Sequence, residues 1–130
     1  MSHSFVHVEL NTGNLKGAKQ FYQKLFKWKL SDMPGPYTMI DTGSKESGGG
    51  MQTKPMPEAP TAWLPYVQVE SVKNTLAQAK KLGANIVLDF QPLPGMGAIG
   101  IFVDPTGASL GVWELEPKAA KKAKKPAKKK

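Results

Sequence analysis

The stretch FVHVELNTGNLKGAKQFYQKLFKWKLSD, Phe5 to Asp32, decides the fold, because it recurs at a constant offset of 57 residues as AWLPYVQVESVKNTLAQAKKLGANIVLD, Ala62 to Asp89. Leu15 falls on Val72, Tyr22 on Ala79, Leu25 on Leu82 and Leu30 on Val87. A repeat of this kind governs the architecture, so it comes before any single element. Both copies read as strand, helix, strand. The first helix opens near Asn14 and carries Leu15, Ala18, Phe21, Tyr22, Leu25 and Phe26 at helical spacing. The second is capped by Ser71, carries Val72, Leu76, Ala79 and Leu82, and stops at Gly83.

Outward from this pair, each second strand meets a Pro/Gly turn, Met33-Pro34-Gly35-Pro36 in one copy and Pro92-Leu93-Pro94-Gly95 in the other. A strand then leads into matching turns, across Tyr37 to Gly43 and across Ile101 to Gly107. Each copy closes with one more strand, around Gly49 to Gln52 and around Leu110 to Glu114. The order βαβββ therefore occurs twice, which predicts an α+β fold with repeats at 4–53 and 61–116 inside one domain, 1–117. The segment Lys54 to Pro60 has three prolines in seven residues and is expected to be an extended spacer.

The whole sequence has 130 residues, 40% of them hydrophobic and 22% charged, which is material for one compact domain. It has no cysteine, so disulfides, thiolate zinc sites and a cysteine nucleophile are excluded. No apolar run is long enough to cross a membrane, and Met1 to Phe5 lack the features of a signal peptide. A soluble, cytoplasmic protein without membrane insertion is expected.

The net charge of +8 belongs to one end. All 18 basic residues are Lys, and eight of them lie beyond Pro117; the remaining ten balance ten Asp plus Glu. Residues 118–130 contain only Lys, Ala and Pro, a composition expected to be disordered. Such a tail suits non-specific contact with polyanions, without base readout, since Arg and stacking aromatics are absent.

The duplicated βαβββ, with Phe21-Tyr22-x-x-Leu25-Phe26-x-Trp28 on the first helix and Asp104-Pro105-Thr106-Gly107 before the last strand, resembles the vicinal oxygen chelate superfamily. This group includes glyoxalase I, extradiol dioxygenases, fosfomycin resistance proteins and bleomycin-binding proteins. The resemblance covers residues 4 to 116 and implies a cupped, barrel-like mixed sheet with helices outside. It also implies a homodimer. Where a metal is present in that superfamily, the first and last strands of each repeat hold it. Those positions correspond to His7, Leu64, Gly111 and the neighbourhood of Gly50, of which only His7 carries a ligand side chain. A catalytic divalent ion usually takes about three protein ligands. The expectation is therefore no cofactor, a divalent metal being disfavoured, with His7 and Glu114 the only weak candidates to hold one. Alternation from Gly111 puts Glu114 on the opposite face. Members that use glutathione grip its carboxylates with Arg, which this chain lacks.

Residues two apart on a strand share a face. His7, Glu9 and Asn11 therefore point together, as do Leu64, Tyr66 and Gln68, and Trp113 is expected to join them. Two aromatics, an imidazole, a carboxylate and two amides make the lining of a small-molecule site. Glu9 and His7 are the candidate acid and base; Asn11, Tyr66, Gln68 and Trp113 are the candidate ligand-binding residues. Gly48-Gly49-Gly50 lacks the Lys and following helix of a phosphate-binding loop. The expected function is a glyoxalase-like small-molecule-binding domain for a small carbonyl or aromatic metabolite, without a complete native metal site. The alternatives are a metal-dependent lyase or isomerase, and a drug-sequestering protein of the bleomycin-resistance kind.

Overall fold

A computed structural model describes residues 2–33, 37–45 and 48–116. Most of the Met33-Pro34-Gly35-Pro36 turn and all of the Lys-rich tail lie outside the described residues. The chain divides into two compact units, Val6–Pro65 and a second one formed by the rest of the described chain. Each unit carries four sheet strands of mixed direction and one helix, so the α+β class and the doubled βαβββ order hold. Among the described residues no helix is long and apolar enough to cross a membrane.

In the first unit, β1 (Phe5–Thr12) leads through Asn14 into α1 (Leu15–Phe26), then β2 (Lys29–Asp32), β3 (Tyr37–Asp41) and β4 (Gly48–Thr53), with sheet order β2-β3-β4-β1. The closing strand β4 lies parallel to β1, while β3 runs antiparallel to both β2 and β4. The Asn14 side chain accepts the Gly17 amide, which starts α1 where the sequence places it. Leu10, Ile40 and Met51 form the core, covered by Leu15, Ala18 and Tyr22 of the helix. Phe21, Leu25 and Phe26, expected on the same apolar stripe, are more than half exposed. The residues of α1 that cover the core are Leu15, Ala18 and Tyr22, spaced i, i+3, i+7, a single row too narrow to turn every apolar side chain inward.

In the second unit, β5 (Ala62–Gln68), whose first four residues belong to the first unit, leads to α2 (Val72–Lys81), β6 (Asn85–Leu93), β7 (Gly97–Val103) and β8 (Ser109–Glu114), in the order β5-β8-β7-β6. Here too the first and last strands are parallel, with Tyr66 opposite Gly111 and Gln68 opposite Trp113. Ser71 caps α2 through the Asn74 amide, and Gly83, at φ +104, ends it. The amides of Gly83 and Ala84 return to the carbonyls of Lys80 and Ala79, the paired bonds of a Schellman stop. Val69, Val72, Leu76 and Val112 are the core of this unit.

Two expectations change. Pro92 and Leu93 lie within β6, paired with Ala98 and Gly97, and the turn starts only at Pro94. β6 is the last strand of its sheet, an edge where the missing proline N–H costs no ladder bond. The proline-rich spacer is not uniformly extended: the Ala59 amide donates to the Met56 carbonyl and closes a turn, and the Lys54 ammonium donates to the Pro57 carbonyl.

Candidate functional site

In the first unit the face opposite α1 is built by register. Glu9 lies beside Gly50 and Gly50 beside Met39; Asn11 lies beside Gln52 and Gln52 beside Tyr37; His7 lies beside Gly48. His7, Glu9 and Asn11 therefore share one face with Gly50, Gln52, Met39 and Tyr37. His7 and Glu9 are each only 5% exposed.

Buried polar groups need partners, and this face supplies them in two sets. The Asn11 amide nitrogen donates to Glu9 Oε2 at 3.0 Å, and the Gln52 amide nitrogen donates to Asn11 Oδ1 at 2.8 Å and, at 3.5 Å, to Glu9 Oε2. His7 Nε2 lies 2.6 Å from the Tyr37 hydroxyl, with the two rings inclined at 29°. Burial alone lowers the His7 pKa to about 4, so the imidazole is neutral at pH 7.

Tyr37 stands two residue pairs along the ladder from Gly50, on the same face, and its ring lies across that glycine. A Cβ at Gly50 would run into the Tyr37 ring and hydroxyl. Glycine at this position lets the phenol lean back to the imidazole.

The second unit repeats the register with different chemistry. Tyr66 takes the place of Glu9, Gln68 of Asn11, Gly111 of Gly50 and Trp113 of Gln52. The Tyr66 ring lies where a Gly111 Cβ would be, and it meets Trp113 edge to face at 5.7 Å. Tyr66 is almost fully buried, and the Trp113 indole N–H donates to the Met96 carbonyl at 2.9 Å. The Gln68 backbone is engaged at both ends, its amide donating to the Ser4 carbonyl and its own carbonyl meeting His3 Nδ1. One copy of the duplicated unit thus presents a polar, titratable face and the other an aromatic one.

The four positions implied for a metal do not fit one. His7 has its Nε2 on the Tyr37 hydroxyl, Leu64 is a hydrocarbon, and Gly50 and Gly111 have no donor and no room for a side chain. Glu114 turns to α2, where its Oε1 accepts the Val72 amide at 2.7 Å and satisfies a helix N-terminal donor. Among the described residues no three His, Asp or Glu come together to hold a metal ion. Two clefts of the first unit open elsewhere, about 460 Å³ along Lys16, Lys19 and Gln23 of α1 and about 270 Å³ between Trp28 and Trp63.

Alternation brings His7, Glu9 and Asn11 together, and Tyr66 next to Trp113. Sequence reasoning missed Gln52 and Tyr37. The signal for Gln52 was present, since alternation from Gly50 puts it on the same face. Tyr37 needed the three-strand register, which no local pattern contains.

A model of the Glyoxalase/Bleomycin resistance protein/Dioxygenase superfamily matches residues 4–112. The protein named "Putative glyoxylase CFP32" of Mycobacterium bovis is 28% identical over 114 residues, covering 82% of this chain and 44% of that protein. The chain thus spans less than half the length of this relative. Among solved structures, the hypothetical protein BH1468 of Bacillus halodurans superposes with a TM-score of 0.65 at 16% identity, covering 89% of this chain and 96% of that one. Methylmalonyl-CoA epimerase of Mycobacterium tuberculosis superposes with a TM-score of 0.64 at 13% identity, covering 90% and 91%. At these identities the likeness is one of fold.

Proposed function

The chain belongs to the Glyoxalase/Bleomycin resistance protein/Dioxygenase superfamily, and from that premise we propose that it is a glyoxalase-like small-molecule-binding domain that works without a native metal ion. Its polar face, His7, Glu9 and Asn11 with Gln52 and Tyr37, takes a small carbonyl or aromatic metabolite. The observation that carries this reading is the replacement at Gly50. The last-strand position offers no ligand atom, and a tyrosine fills the room and occupies His7 Nε2. Glu9 and a neutral His7 are the acid and base candidates of this face, and Asn11 and Gln52 hold the carboxylate in place. The register-equivalent aromatics Tyr66 and Trp113, with Gln68, support recognition of a planar group by the second repeat.

The exposed row Phe21, Leu25 and Phe26 on α1 supports pairing of two copies, and the composition of the Lys-rich tail supports non-specific polyanion contact. Light scattering and salt-dependent nucleic-acid binding test these two points.

The experiment for the main reading is a thermal-shift titration of the full chain with nickel, zinc, manganese and iron(II), beside the His7→Ala variant. A ligand that binds only the folded state adds about 2.7 kcal/mol of stability at one hundred times its dissociation constant. The expected result is no saturable rise that depends on His7. A rise lost in the variant restores the metal-dependent lyase or isomerase.

A further inference from the structure

We propose that the first unit holds a further ligand site on the helix side of its sheet, a cleft between Trp28 and Trp63 that takes a small, flat, uncharged aromatic molecule. The inference goes beyond the polar face, since alternation along β1 turns Val8 away from His7 and Glu9.

The cleft begins with a missing side chain. Two successive rows cross β1, β4 and β3 on the α1 side of the sheet. In the first, Leu10, Met51 and Thr38 lie side by side, all buried. In the second the places belong to Val8, Gly49 and Ile40, so the middle strand contributes only backbone. A Cβ at Gly49 would come within 3.0 Å of the Val8 carbonyl oxygen and 3.6 Å of the Ile40 side chain, so glycine suits strands that lie this close. The middle residue of Gly48-Gly49-Gly50 thereby leaves a hollow of about 270 Å³, lined by Val8, Ile40 and Thr42 as well as the two indoles.

Those indoles are held in place. Tyr22 of α1 stacks on Trp28, with centroids 5.7 Å apart and planes inclined at 18°, and meets Trp63 edge to face at 5.5 Å. Tyr22 itself packs against the core of Leu10, Ile40 and Met51. One ring fixed by the core thus fixes both walls, which lowers the cost of ordering them around a ligand. Trp63 and Val8 are each 38% exposed, so the hollow is open to solvent.

Size, shape and charge name the occupant. Drug-sized ligands take roughly 300 to 1,000 Å³, so a cleft of about 270 Å³ suits a molecule of one or two fused rings. Aromatic walls favour an aromatic occupant through dispersion and ring quadrupoles. The described residues that line the cleft include no charged side chain, so a charge buried there would go uncompensated.

The test is a titration of the isotope-labelled full chain, followed by NMR through the indole N–H signals of its three tryptophans. The probes are β-naphthol and its saturated counterpart β-decalol, two neutral bicyclic alcohols of which only the first is flat. The Trp28 and Trp63 signals are expected to move saturably, while that of Trp113, whose N–H is bonded to the Met96 carbonyl, stays in place. β-Naphthol binds roughly tenfold more tightly than β-decalol, the worth of two aromatic contacts. Trp63→Leu keeps an apolar wall at a partly exposed position and removes most of that preference. Gly49→Ala fills the hollow and weakens both probes; should it fail to fold, Trp63→Leu decides alone. No saturable shift, shifts confined to Trp113, equal binding of the flat and the puckered probe, or a preference that survives in Trp63→Leu overturns the site. So does a Trp63 signal that moves with protein concentration alone, because a second copy then covers the cleft. None of these outcomes touches the polar face, whose metal titration is read separately.

Discussion

The ring of Tyr37 occupies the space into which a side chain at Gly50 would grow. The two residues are diagonal neighbours on adjacent strands, and the missing Cβ converts that diagonal into a contact between Tyr37 and His7. Gly50→Ala is therefore expected to cost about 1 to 3 kcal/mol, the range for overpacking a fitted site. In a Tyr37→Ala background the same substitution costs much less, because the colliding ring is gone. Urea unfolding of the four proteins in this cycle measures the coupling. Equal costs in the two backgrounds contradict the contact.

Glu114 lies 42 residues from Val72 in sequence, and its carboxylate accepts the first amide of α2. A helix N-terminus carries unsatisfied donors and a partial positive charge, which a carboxylate answers on both counts. Glu114→Ala is expected to destabilise the protein by about 1 to 2 kcal/mol, in the range for loss of a cap. Glu114→Gln keeps an acceptor and recovers most of the loss. Denaturant unfolding gives the magnitude, and faster amide exchange at Val72 locates it.

These two contacts show where sequence reading stops. The caps at Asn14 and Ser71 and the stop at Gly83 were legible because each is made by residues within five positions of one another. The shared face of His7, Glu9 and Asn11 was legible because strand alternation needs no partner. The hydrogen bond from Gln52 to Asn11 and the lean of Tyr37 depend on how three strands register. Burial was half legible on α1, where Leu15, Ala18 and Tyr22 face the core while Phe21, Leu25 and Phe26 stay exposed. Helical spacing marks an apolar stripe, and only the packed sheet decides how much of it is covered. Pro92 was read as a turn residue because proline breaks central strands, and it sits in an edge strand instead.

His7 makes stability depend on pH in a defined window. Its pKa is about 4 in the folded protein against about 6.5 for a free imidazole, so below pH 6.5 the unfolded chain binds a proton that the folded one refuses. Stability is full above that pH, falls as the pH drops toward 4, and then levels off. The loss is up to about 3 kcal/mol. Urea unfolding of the parent chain and of His7→Gln at pH 7, 5.5 and 4 isolates this contribution from that of the carboxylates. The difference in stability between the two proteins is expected to shrink or change sign on acidification. A constant difference across the three conditions contradicts the desolvated imidazole.

Lys27 ends α1 at φ +60 and ψ 27, the left-handed region, and its amide donates to the Gln23 carbonyl at 2.9 Å. It is the only described residue other than glycine with a positive φ. The conformation is imposed because the chain must leave the helix and start β2 at Lys29, two residues on. An L side chain in this region costs about 1 to 2 kcal/mol, and glycine removes that cost while adding freedom to the unfolded chain. Lys27→Gly is therefore expected to stabilise the protein by roughly 0.5 to 1 kcal/mol, with Lys27→Asn giving part of the gain and Lys27→Ala none. Thermal and urea unfolding measure the series. A loss of stability in the glycine variant would mean that the lysine side chain contributes more than its backbone costs.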